Sequence, residues 1–129
     1  MAEVRLNRII LYVQDVERLS EFYRQAFAFP LDQHIEGEWA VLKAGECELG
    51  LLKASAAYRA RPGGWSGDNN NAKIVFAVDE PIETVRDRLV GLGVDMGKVK
   101  SYPGLTGPLC DGKDPEGNVF QISQTVTVS

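Results

Sequence analysis

The sequence predicts an α+β fold of two β-α-β-β-β modules, and three observations point to it. Arg8-Ile9-Ile10-Leu11-Tyr12-Val13 and Lys73-Ile74-Val75-Phe76-Ala77-Val78 are two versions of one strand-like phrase. Each phrase runs into acidic residues, Asp15 in one case and Asp79 and Glu80 in the other, and then into an amphipathic stretch. Each amphipathic stretch is followed by short strand-like pieces. A repeat of this size implies two half-domains that are each too small to bury a core alone. Two packed copies leave a cleft between equivalent strands, a natural place for a ligand.

The first strand is expected over residues 5–13, with Ile9, Leu11 and Val13 on one face and Arg8, Ile10 and Tyr12 on the other. Asp15 is placed to accept the free amides of the next helix. Val16, Leu19, Phe22, Tyr23, Ala26 and Phe27 recur at intervals of three and four, which gives a helix over 16–27 with one apolar stripe. Pro30 closes it. Strands follow at 31–35, 39–43 and 46–53, with turns at Glu36-Gly37 and Ala44-Gly45. A linker loop occupies 55–71, where Pro62, Gly63, Gly64, Gly67, Asp68 and three asparagines collect.

The second module spans 72–127, against 5–54 for the first, within a single domain of 129 residues. Pro81 suits the first position of a helix whose stripe is Ile82, Val85, Leu89 and Leu92. Gly91 or Gly93 ends that helix. Strands are expected at 94–101, 109–113 and 118–126. Asp114-Pro115-Glu116-Gly117 is a turn, because proline presets one corner and glycine permits positive φ.

Apolar residues make up 44% of the chain and charged residues 25%, with a net charge of −4. That composition is ordinary for a soluble globular protein. It carries no basic stripe of the kind nucleic acid requires. No stretch approaches the roughly 18 apolar residues that cross a bilayer, and no export signal opens the chain. A cytoplasmic location is the expectation, with Cys47 and Cys110 as free thiols.

Two sets of words in this order resemble the vicinal oxygen chelate superfamily, which includes glyoxalase I, bleomycin-resistance proteins and extradiol dioxygenases. The first is Leu11-Tyr12-Val13-Gln14-Asp15 followed by Phe22-Tyr23. The last is Asp114-Pro115-Glu116-Gly117-Asn118 leading into Phe120-Gln121-Ile122. The resemblance spans nearly the whole chain. It implies two βαβββ modules whose curled mixed sheet encloses a cleft, commonly in a homodimer. In metal-dependent relatives, four His, Glu or Gln side chains face that cleft from the first and last strands of each module. Carried onto this sequence, the four positions fall on Arg8, Gly50, Lys73 and Gln121. Arginine never ligates, lysine is protonated unless strongly perturbed, and a glutamine amide is a weak ligand. Two cations at one site repel a divalent ion. The usual metal site is therefore read as absent, and no cofactor is expected.

The same positions suit recognition of an anion or of ligand oxygens. Arg8 offers a planar fork of donors, Lys73 a mobile charge, and Gln121 both a donor and an acceptor. Tyr12 shares the face of Arg8, Ser123 that of Gln121, and Glu48 that of Gly50. Trp65, in the linker loop, is a candidate ligand lid or dimer contact. The plainer reading leaves Arg8 and Lys73 as strand-end residues with their heads in water. His34, the single histidine, is read as solvated or capping, and Trp39 as a core residue. Glu36, Glu38, Glu46 and Glu48 form an acidic cluster near the turns of the first module.

Three functions follow in order of preference. The first is a metal-free protein that captures a small organic molecule. The second is a metal-dependent lyase, isomerase or dioxygenase of the glyoxalase type, with its ligands at shifted positions. The third is a metal-free enzyme using Glu48, Lys73 or Tyr12 as acid or base, with Arg8 holding a carboxylate. The partners expected are a small molecule and a second copy of the chain, with no nucleic acid and no membrane.

Overall fold

The computed structural model describes residues 4–56, 72–105 and 107–124. They fall into two compact units, one within 1–65 and one within 66–129. Each unit carries a four-stranded mixed sheet and one main helix, so the chain is α+β.

In the first unit the elements are β1 (Arg8–Val13), α1 (Val16–Phe27), β2 (Leu31–Ile35), β3 (Trp39–Ala44) and β4 (Cys47–Lys53). The sheet order is β1-β4-β3-β2, with β1 parallel to β4 and the other pairs antiparallel. The Asp15 carboxylate accepts the amide of Arg18 at 3.0 Å and caps α1. The helix stops before Pro30, because Ala28 turns left-handed at φ 58° and its amide bonds the Arg24 carbonyl. Gly37 and Gly45 take the positive φ of the two turns. α1 packs on β3 and β4. Val16, Leu19, Tyr23, Ala40, Leu42, Leu49 and Leu51 are buried. The opposite face carries Arg8, Ile10 and Tyr12 beside Glu48, Gly50 and Leu52.

The second unit repeats the plan with β5 (Ile74–Val78), α2 (Ile82–Gly91), β6 (Asp95–Met96), β7 (Leu109–Lys113) and β8 (Val119–Gln124). The order is β5-β8-β7-β6, again with the first strand parallel to the last. Pro81, expected at the first helical position, stands just before α2 as its cap residue, and its ring carries no acceptor. The Gln124 side chain supplies the acceptor instead, taking the Ile82 amide at 2.9 Å. Gly91 ends the helix and Gly93 takes φ +87°. Ile82, Val85, Leu89, Cys110, Phe120 and Ile122 form the core.

The strand expected at 94–101 is much shorter. It pairs at Asp95 and Met96, breaks, and touches β7 again only at Lys100. Between the Met96–Gly112 and Lys100–Leu109 pairs the first segment advances four residues and β7 three. One extra residue is therefore bulged out, which breaks the ladder. The linker loop is described only at its start: Tyr58 and Trp65 lie outside the described residues. Among the described residues no helix is long and apolar enough to cross a membrane.

Candidate functional site

On the open face of the first sheet, Arg8 stands directly across from Glu48. Arg8 Nε donates to Glu48 Oε1 at 2.9 Å, and its Nη2 lies 2.7 Å from the same oxygen. Lys43, the cross-strand partner of Glu48 on β3, donates to Oε2 at 2.8 Å. Both carboxylate oxygens are thus engaged. Hydrogen bonds from Lys43 and then Arg8 hold the Glu48 carboxyl below its ordinary value, and the bond to Glu48 raises that of Lys43. Lys43 is a member of this group that the sequence did not single out.

Gly50 lies two residues further along β4, opposite Ile10. A Cβ on Gly50 would stand 3.1 Å from Ile10 Cγ1, 3.2 Å from Trp39 Cη2 and 3.3 Å from Arg8 Cδ. Trp39 is expected in the core, but the core face of β3 is formed by Ala40 and Leu42, so Trp39 falls on the open face and is only half-buried. Its ring takes the Arg8 guanidinium at 5.4 Å, and its Nε1 donates to Gln33 Oε1 at 3.3 Å. Tyr12, at the far end of this face, is 50% exposed.

In the second unit Gln121 stands opposite both Val75 and Asp111, and Ser123 opposite Ala77 and Leu109. Gly50 and Gln121 thus hold equivalent positions, each opposite the residue two beyond Arg8 or Lys73. Gln121 Nε2 donates to Asp111 Oδ1 at 3.0 Å, and Lys73 Nζ donates to Asp111 Oδ2 at 2.9 Å. Burial pushes the Asp111 carboxyl up. Hydrogen bonds from Gln121 and Lys73, with the charges of Lys73 and Lys100, outweigh burial and leave it below its ordinary value. Asp111 escaped notice in the sequence, although a lone acid between Cys110 and Gly112 in a strand was a usable signal.

These groups form the floor of a hollow of about 330 Å³ within the second unit. Its rim carries Lys98, Lys100, Tyr102 and Leu105. A larger hollow of about 990 Å³ opens in the first unit beside Arg5, Asn7, Glu46 and Cys47, and neither Arg8, Glu48 nor Gly50 lines it. His34 Nε2 lies 2.8 Å from Glu17 Oε2 in an exposed pair, as suits a solvated histidine.

Taken one by one, the four positions that carry ligands in metal-dependent relatives are poor donors for a divalent ion here. Arg8 is committed to Glu48, Lys73 to Asp111, and the space over Gly50 is taken by Trp39 and Arg8. Among the described residues no group of three or more His, Cys, Asp or Glu could hold a metal.

A search of curated proteins found no match. Solved structures do resemble this chain. A lactoylglutathione lyase from Agrobacterium tumefaciens is 18% identical with a TM-score of 0.74, over 96% of each chain. An antibiotic-binding protein from Streptomyces sp. CB03234 is 23% identical with a TM-score of 0.72, over 96% of this chain and 98% of that one. A virulence protein from Salmonella typhimurium is 23% identical with a TM-score of 0.71, over 98% of this chain and 100% of that one. At these identities the likeness is one of fold. The sequence model of one family matches residues 5–122. With that match across both modules, the chain belongs to the glyoxalase/bleomycin resistance protein/dioxygenase superfamily.

Proposed function

We propose that this protein binds a small organic molecule without a metal ion and works as a cytoplasmic homodimer. The observation that carries the reading is the occupation of the corner positions. Where a chelating relative needs convergent neutral or anionic donors, this chain has Arg8, Lys73, a glycine covered by an indole, and a glutamine tied to Asp111. Cationic and amide donors beside apolar walls recognise ligand oxygens directly. The antibiotic-binding protein among the structural neighbours is a precedent for capture on this fold. Exposed Ile10, Tyr12 and Ile35 on one sheet face support a second copy as partner. Two unpaired cysteines suit a reducing compartment.

The test is calorimetric titration of the chelator-treated protein with carboxylates, phosphate esters, neutral aromatics and amines. Saturable binding in the presence of chelator is the expected result. Binding or turnover that appears only after nickel, zinc, iron or manganese is added would overturn the reading. Sedimentation velocity tests the dimer: a monomer at micromolar concentration removes it.

A further inference from the structure

We propose that the hollow in the second unit binds a small organic oxyanion, a carboxylate or phosphate ester on an apolar ring, with Lys98 and Lys100 holding its charge. This deepens the metal-independent reading and rests on it. The bulge is the first support. Gly97 N donates to Asp111 O at 2.8 Å, and Lys100 and Leu109 exchange backbone bonds at 2.8 and 2.9 Å. The extra residue lies between those anchor points, and bulges re-aim side chains at sites. Lys98 and Lys100 both line the hollow.

Charge is the second support. Three lysines and one aspartate line the hollow. Both Asp111 oxygens are already taken, by Lys73 and Gln121. Among the described residues, Lys98 and Lys100 have no carboxylate within ion-pair distance. They remain available to an incoming oxyanion, as mobile ammonium donors that suit either a carboxylate or a phosphate.

Shape is the third. About 330 Å³ lies at the small end of ligand pockets, enough for one ring and its charged group. Tyr102 and Leu105 are 49% and 55% exposed on the rim, and Leu109 lines the wall. Together they offer an apolar surface to the ring beside the lysines of the same hollow.

The test is titration of phenyl phosphate and of benzoate into the full chain in chelator, with benzyl alcohol and benzylamine as neutral and cationic controls. The two anions separate a phosphate site from a carboxylate site. At least one should saturate below about 10 mM, the weak end of the affinity scale. Lys98→Ala/Lys100→Ala removes two exposed side chains and should weaken that anion about tenfold or more. Asp111→Asn removes the competing charge and frees Lys73, so it should tighten binding by about threefold. A residue serving only the fold would not do that. Tyr102→Ala should weaken phenyl phosphate and leave inorganic phosphate unchanged. Failure of both anions to saturate, or affinity untouched by the lysine pair, overturns the proposal. If another compound binds in chelator and ignores the lysine pair, the site is elsewhere and metal-free capture stands. If binding needs added metal, the underlying reading fails instead.

Discussion

Gly50 is a glycine because of what crosses above it, not because of its backbone angles. Ile10, Trp39 and Arg8 all close to within 3.3 Å of where its Cβ would be. A β-branched side chain there must displace the indole and the Arg8 stem together. Gly50→Val should cost about 2 kcal/mol, the usual range for overpacking, and should shift the tryptophan fluorescence. Denaturant titration with an emission scan checks both. At this scale the sequence was legible only in part. Period-two alternation placed Arg8, Ile10 and Tyr12 on one face of β1, and the structure has them there. It also put Gln121 with Ser123, and their cross-strand partners share that face. Alternation could not reveal which neighbour each side chain would choose. Glu48 reads as a candidate on the face of Gly50 and as one of four glutamates near the turns, but not as the carboxylate on which two cations close. Lys98 and Lys100 drew no notice because a bulge cannot be seen in a strand pattern.

Single elements carry two further predictions. The turn at Asp114 is tied by one buried carboxylate, 5% exposed, which accepts from the Glu116 amide, the Asn118 amide and the Asn118 side chain at 2.8–2.9 Å. Asp114→Ala leaves those donors without their acceptor and should cost about 3 kcal/mol. Thermal unfolding monitored by circular dichroism measures it. This turn was plain from Asp-Pro-Glu-Gly alone, because proline and glycine each impose a backbone angle. The second prediction concerns the β1–β4–β3 contact. Glu48 has a folded value below its ordinary 4.5, so its stabilising effect is full above 4.5 and fades as pH falls through the depressed folded value. Glu48→Gln should therefore flatten the acid limb of the stability curve below 4.5, leaving its slope near neutrality unchanged. Denaturant melts at a series of pH values decide it. β6 is where sequence reading overreached: an eight-residue pattern is compatible with one strand until the partner's shorter count forces a slip.

At the scale of the whole molecule the repeat dominates. Both halves use the same strand order and put the first strand parallel to the last. That much was readable because a duplicated pattern is a long-range signal, stronger than any single propensity. The metal question also belongs to this scale. An ion that bound the folded chain would raise its melting temperature by mass action. Added nickel, zinc or manganese at about a thousandfold over a micromolar site would contribute about 4 kcal/mol, and the proposal predicts no such shift. Differential scanning fluorimetry with and without each metal reads it directly. The strand order has one more consequence. Among the described residues, the strand pairs of the first half all lie within residues 8–53. A ribosome that has released those residues has released every strand of the first sheet. The second half has no such early completion: β8 joins β5 to β7, so a stop codon before residue 119 would strand β5 without a neighbour.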